Sequence, residues 1–114
     1  MQGIPITVAE TGEFQHRASD LFSEAEREEL VYYLACHPEA GRMIRETGGL
    51  RKLRWGMGGK GKRGGARVIY YFHNERMPLY LLTVYAKNEK TDLSSGERRE
   101  LSKLADLLRK ANGL

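Results

Sequence analysis

The chain has 114 residues, of which 40% are hydrophobic and 30% charged. This length and composition suit one small domain over residues 1–114, and they exclude a two-domain cofactor enzyme and a disordered tail. Its net charge of +4 is unevenly spread, since residues 1–41 carry −6, residues 42–67 carry +8 and residues 68–114 carry +2. A segment with a charge of +8 attracts polyanions, so nucleic acid is the leading class of partner.

The N-terminal third of the chain predicts a strand followed by two helices. Residues 4–8 are rich in β-branched side chains and predict a strand, which Pro5 restricts to the edge of a sheet unless Pro5 stands at the start of the strand. A helix over about 13–21 precedes a second over about 24–36, which begins at a capping box opened by Ser23. The apolar stripe of the second helix indicates that it packs against a sheet.

The rest of the chain predicts three strands in an antiparallel meander and a last helix. The strands cover residues 51–55, 67–72 and 79–85, and the last two are apolar on both faces, which places them in the middle of the sheet. Residues 56–65 include six glycines and predict a loop. A second capping box, opened by Ser94, begins an amphipathic helix that covers the sheet and completes the α+β fold.

Antiparallel pairing would bring basic residues to one rim of this sheet. The end of the first strand, the start of the second and the end of the third lie together in a meander, so Arg54, Arg67, Tyr85 and Lys87 converge, with Lys52 on the same face as Arg54. Cations without paired carboxylates suit phosphate chemistry, because they stabilise developing negative charge. Cationic neighbours also lower the pKa of a lysine in general, which would make it a usable base.

The glycine-rich loop is predicted to bind RNA rather than a nucleotide cofactor. A strand follows it, and its lysines precede neither Ser nor Thr, so it matches neither the dinucleotide fingerprint nor the P-loop. Its cations can instead follow a single-stranded backbone. The predicted RNA-binding or ribosome-binding residues are Arg51, Trp55, Lys60, Lys62 and Arg63.

We expect neither a metal nor another cofactor, because the three histidines and Cys36 lack the spacing of a ligand set. The lone cysteine cannot form an internal disulfide, and the chain shows neither the apolar run of a signal peptide nor that of a membrane helix. A cytoplasmic protein without membrane contact is therefore expected.

Three motifs are similar to those of a known family. They are GGLRKLRW at 48–55, GKGKRGGARVIYYF at 59–72 and YLLTVYAKNEKTDL at 80–93. Together they resemble the HigB branch of the RelE-type bacterial toxins, over nearly the whole chain and in the family's order of elements. The resemblance implies a type II toxin that cleaves mRNA on the ribosome, with the ribosome, the mRNA and a cognate antitoxin as partners. Such an antitoxin is usually a helix-turn-helix protein of the HigA type.

The resemblance also implies which residues act. Family members use basic residues of the central strands, and the matching positions here are Lys52, Arg54, Arg67 and Lys87. The implied reaction is attack of the RNA 2′-hydroxyl on the adjacent phosphate without a metal. Lys52, Lys87 and Tyr85 are alternative general bases, since Ser94 stands where relatives place a tyrosine.

Two other functions use the same basic residues. A non-catalytic RNA-binding or regulatory module would stack bases on Trp55 and Tyr85. A DNA-binding repressor is disfavoured, because the sequence has no helix-turn-helix pattern. The antitoxin could inhibit the toxin in two ways. It could cover the basic rim, or it could bind the acidic N-terminal segment and exclude the toxin from the ribosome. The charge of that segment favours the second way.

Overall fold

The computed structural model describes residues 4–56 and 65–114, which form three helices and a five-stranded sheet. The strands are β1 (Val8–Glu10), β2 (Arg42–Met43), β3 (Leu50–Trp55), β4 (Ala66–Tyr71) and β5 (Leu79–Ala86), and the helices are α1 (Gly12–Leu21), α2 (Glu24–Cys36) and α3 (Ser95–Ala111). Their order across the sheet is β1-β5-β4-β3-β2. β1 runs parallel to β5 and the other pairs are antiparallel, which confirms the α+β class and the central meander.

The helices begin where the sequence predicts, because their first amides are capped. Ser23 Oγ accepts a hydrogen bond from the Glu26 N–H at 3.1 Å, and the Glu26 carboxylate accepts one from the Ser23 N–H at 2.8 Å. Ser94 and Glu97 repeat this arrangement at the start of α3 with the same two distances. Both capping boxes are confirmed.

Helices cover both faces of the sheet. Phe14 of α1 and Leu30 of α2 belong to a core on one face together with Val68 of β4. On the other face, Ala105 of α3 packs in a cluster with Leu82 of β5. The central strands β4 and β5 are therefore apolar on both faces, as predicted.

The two edge strands differ from the prediction. β1 is an edge strand, but it occupies Val8–Glu10 rather than residues 4–8, so Pro5 lies before the strand and not within it. The segment before it is bonded to a helix instead, since the Ile6 N–H donates to the Ala35 carbonyl oxygen at 3.0 Å. The opposite edge strand, β2, was not predicted, because two residues are too few to show an alternating pattern.

Candidate active site

Two rows of cross-strand neighbours bring basic residues together on the α3 side of the sheet. In one row, Arg54 of β3 is paired with Arg67 of β4, which is paired with Tyr85 of β5. In the next row, Lys52 of β3 is paired with Arg42 of β2. Like charges placed directly opposite each other destabilise an antiparallel pair. Two such pairs side by side therefore indicate a binding site for an anion.

These four cations line an open cleft, which we call the central cleft. Its volume is about 550 Å³, and its lining is Ala40, Arg42, Lys52, Leu53, Arg54, Arg67 and Thr91. Arg42 is not among the predicted site residues, because it reaches the cleft only through the pairing of β2 with β3. The one available signal was its position at the start of the +8 segment.

Arg67 is an almost enclosed cation at the centre of this arrangement. Arg67 is only 8% exposed, and its Nη1 donates to the Ala66 carbonyl oxygen at 3.4 Å. Among the described residues, no carboxylate lies within 4.0 Å of its guanidinium. A buried, uncompensated charge is costly in free energy, and a bound phosphate would offset that cost.

Lys52 is held by a carboxylate at the wall of the central cleft. Its Nζ lies 3.3 Å from Oδ1 of Asp92, and the same oxygen accepts a hydrogen bond from the Leu93 N–H at 2.8 Å. Burial acts to raise the pKa of the Asp92 carboxyl, but the Leu93 N–H and Lys52 outweigh it and leave the pKa below its usual range. Asp92 is therefore ionised at neutral pH and orients the Lys52 side chain.

Tyr85 is buried beside Arg67, with 1% of its surface exposed. Its hydroxyl has no hydrogen-bond partner among the described residues. Burial, with a smaller contribution from Asp92, raises the pKa of Tyr85 to about 12, although the positive charge of Arg67 opposes the shift. The side chain is therefore a neutral phenol at physiological pH, so it can donate a proton but is a poor base.

Lys87 lies apart from this group. It is exposed just after β5, and its backbone N–H donates to the Gly65 carbonyl oxygen at 3.1 Å. Its side chain does not contribute to the lining of the central cleft. The meander brings Lys52, Arg54, Arg67 and Tyr85 together, whereas Lys87 follows the end of its strand.

Two of the predicted RNA-binding residues point to the opposite face of the sheet, because side chains alternate along β3. Arg51 Nη1 donates to the carbonyl oxygens of Glu39 and Gly41, at 3.2 and 2.8 Å. Trp55 is 9% exposed, and its ring centroid lies 5.2 Å from that of Tyr33.

The rings of Trp55 and Tyr85 are thus enclosed in the structure, so neither presents an open face on which a base could stack. The predicted loop cations Lys60, Lys62 and Arg63 lie outside the described residues.

The fold and the central cleft define a small α+β protein that is suited to a phosphate polyanion. Within residues 4–56 and 65–114, no group of three or more His, Cys, Asp or Glu side chains could hold a metal ion. No helix in that part of the chain is long and apolar enough to cross a membrane.

Residues 39–113 match the model of the family described as RelE toxin of RelE / RelB toxin-antitoxin system. The matched range extends from the residues before β2 through α3, so it includes every residue that lines the central cleft. The chain belongs to the RelE toxin family. It is accordingly the toxin of a toxin–antitoxin system, and an antitoxin is its partner.

Proposed function

We propose that this toxin is an endoribonuclease of the HigB branch that cleaves mRNA on the ribosome during translation. The pairing of Arg42 with Lys52 and of Arg54 with Arg67 in one cleft carries the proposal. Among the described residues, Asp92 supplies the single carboxylate within 4.0 Å of these four cations. The three motifs that resemble the HigB branch support that assignment, and a HigA-like helix-turn-helix antitoxin goes with it.

In the proposed reaction, the 2′-hydroxyl oxygen of the RNA attacks the adjacent phosphorus. The bond between that oxygen and phosphorus forms while the bond from phosphorus to the 5′-oxygen breaks, which yields a 2′,3′-cyclic phosphate and a 5′-hydroxyl. One proton leaves the 2′-hydroxyl and one is delivered to the 5′-oxygen. Arg67 and Arg54 would stabilise the added negative charge of the phosphorane, and the step needs neither a metal nor another cofactor.

The positions of the three candidate bases support one choice among them. Tyr85, with its raised pKa, would serve as a hydrogen-bond or proton donor rather than as a base. Lys52 lines the central cleft, whereas Lys87 does not. We therefore assign the contact with the 2′-hydroxyl to Lys52, with Asp92 as its positioning residue.

The remaining predicted residues would act outside the chemical step. Lys60, Lys62 and Arg63 would extend the basic surface toward the message or the ribosomal RNA. Arg51 and Trp55 would act through the fold, because they hold β3 against the segment around Glu39 and against α2. Action on ribosomes would also require the toxin to work in the cytoplasm.

Mapping of RNA ends tests the proposal. Purified toxin, translating ribosomes and a defined message should yield fragments that end in 2′,3′-cyclic phosphate, and free message should remain largely uncut. Arg76→Met serves as a charge-matched control for cleft variants, because Arg76 is an exposed residue outside the central cleft. An uncut message on intact translating ribosomes would favour the non-catalytic RNA-binding module instead.

A further inference from the structure

A second basic cleft lies along the N-terminal half of α3, and we call it the α3 cleft. Its volume is about 450 Å³. The lining holds four basic side chains, from Arg45, Arg98, Arg99 and Lys103, and one carboxylate, from Glu46. The lining therefore carries an excess of three positive charges, against four in the lining of the central cleft.

The cations of the α3 cleft are available to a ligand. Among the described residues, none of the four has a carboxylate within 4.0 Å. Two carboxylates of α3 are engaged elsewhere, since Glu97 pairs with Lys90, and Asp106 pairs with Arg109 and Lys110. The surface is therefore not a balanced network of ion pairs.

Hydroxyl groups and the helix dipole add to the attraction for an anion. Ser102 lines the cleft, and its buried Oγ has no hydrogen-bond partner in the described part of the chain. Ser95 lines it at the first residue of α3, where the helix dipole is positive. Arginine, lysine and serine side chains beside a helix N-terminus are typical contacts of a phosphate backbone.

The two clefts belong to one surface. Arg42 at the start of β2 lines the central cleft, and Arg45, three residues further on, lines the α3 cleft. On the α3 side, the positive charge of Arg98 acts on the same Asp92 carboxylate that pairs with Lys52. An RNA strand that leaves the central cleft toward α3 would therefore pass from Arg42 toward Arg45 and Arg98.

We propose that the α3 cleft binds the phosphodiester backbone of the message next to the bond that is cleaved. The identity of the RNA rests on the proposed function, but binding at the cleft can be measured without cleavage. The contacts are to phosphates, so the α3 cleft should add affinity and not base specificity. Continuity with the central cleft favours the message over ribosomal RNA or an acidic antitoxin segment.

The test compares Arg98→Gln/Lys103→Gln with Arg76→Gln/Lys110→Gln, which removes the same charge outside both clefts. Fluorescence anisotropy measures binding of 2′-O-methyl RNA, which cannot be cleaved, as a dinucleotide and as a longer single strand. The first variant should lose about tenfold in affinity for the longer strand and keep its affinity for the dinucleotide. The slope of the logarithm of its binding constant against the logarithm of the salt concentration should fall in magnitude by about 1.4, because each phosphate contact on a single strand contributes about 0.7.

The inference is overturned if the Arg98/Lys103 variant binds the longer strand as the control does. It is also overturned if the variant loses affinity for poly-glutamate, or for ribosomes without message, but not for the RNA strand. Because the probe is not cut, absence of ribosome-dependent cleavage would refute the proposed function and leave this result standing. Cleavage that does not depend on Arg98 and Lys103, together with unchanged RNA binding, would refute only the role proposed for the α3 cleft.

Discussion

Arg67 and Tyr85 are adjacent in the sheet, and burial gives each of them an unusual chemistry. Arg67 is a nearly enclosed charge that lacks an ion pair within the described residues, and Tyr85 is a phenol whose hydroxyl has no partner there. Neither feature contributes to folding stability, because an unpaired buried charge and an unbonded hydroxyl both cost free energy. Substitution at these positions should therefore separate stability from activity.

Arg67→Met should fold as well as the natural chain or better, because no ion pair is lost with the guanidinium. Ribosome-dependent cleavage should fall by roughly 10²- to 10³-fold, the loss typical when a group that stabilises transition-state charge is removed. Urea unfolding and end mapping measure the two effects. Arg76→Met should change neither, and natural cleavage rates in the Arg67 variant would contradict the proposed role.

Tyr85→Phe should show how the raised pKa of Tyr85 contributes to stability as pH changes. The pKa of this phenol is about 12 in the folded chain and about 10 in the unfolded chain. Folding therefore favours the neutral form, and the natural chain loses stability as the pH rises through this range. The variant should be at least as stable at neutral pH and gain up to roughly 2 to 3 kcal/mol relative to the natural chain by about pH 12. Urea unfolding from neutral to alkaline pH measures this difference, and parallel curves would refute it.

Lys52→Met and Lys87→Met should differ in their effect on cleavage. Loss of Lys52 removes a side chain from the central cleft and should lower the rate by roughly 10²-fold or more, as for a group that takes part in proton transfer. Loss of Lys87 should lower it by less than about tenfold, in line with a peripheral phosphate contact. End mapping under single-turnover conditions compares the two variants, and the reverse order would assign the base to Lys87.

At the scale of elements, the connection from β5 to α3 contributes Thr91 to the lining of the central cleft. It carries Asp92, which holds Lys52, and it is anchored at one end by α1, where Arg17 Nη2 donates to both Glu89 carboxylate oxygens at 2.8 Å. At its other end, the capping box of Ser94 and Glu97 begins α3. The long-range Arg17–Glu89 ion pair and the local capping box of α3 thereby position a carboxylate that is forty residues from its lysine in the chain.

Ser94→Ala should destabilise the protein by about 1 kcal/mol, the usual loss when a capping serine is replaced. Its hydroxyl accepts from the Glu97 N–H at 3.1 Å, which alanine cannot do. Ser95→Ala, one residue further on and exposed, should have little effect. Urea unfolding of the two variants measures the difference, and equal stability would mean that the capping box is not needed to hold α3.

At the scale of the whole molecule, the two sides of the sheet differ in charge. The segment with a charge of −6 includes α1 and α2, which pack on the face opposite α3, and the central cleft opens on the α3 side. β1 adds an edge strand to the acidic side. A partner on the face covered by α1 and α2 would therefore leave the central cleft open.

We expect the antitoxin to bind the acidic side and to act by excluding the toxin from the ribosome. The negative charge of that segment complements a basic partner, and the backbone N–H and C=O groups on the outer edge of β1 can pair with an added strand. Hydrogen exchange with and without the antitoxin should show protection over residues 4–36. Protection confined to residues 50–90 would show instead that the antitoxin covers the basic cleft. In that case inhibition should also weaken with salt, because salt screens the masking charges.

The amino-acid sequence by itself determined the elements whose signals are local. The Ser23 and Ser94 capping boxes mark the starts of α2 and α3, and the runs that are apolar on both faces mark β4 and β5 as central strands. The order of the meander predicted that Arg54, Arg67 and Tyr85 would be neighbours, which the register of the strands confirms. Charge segregation along the chain predicts a polyanion as ligand. Each of these depends on neighbouring residues or on strand order.

Only the tertiary structure decided what depends on long-range contacts. The register of β1 against β5 placed that strand at Val8–Glu10, and the pairing of β2 with β3 added Arg42 to the cleft. The packing of α2 and α3 on opposite faces enclosed Trp55 and Tyr85, which sequence alone allowed as open stacking surfaces. The Lys52–Asp92 ion pair likewise exists because the chain turns back across the sheet, and no local pattern specifies it.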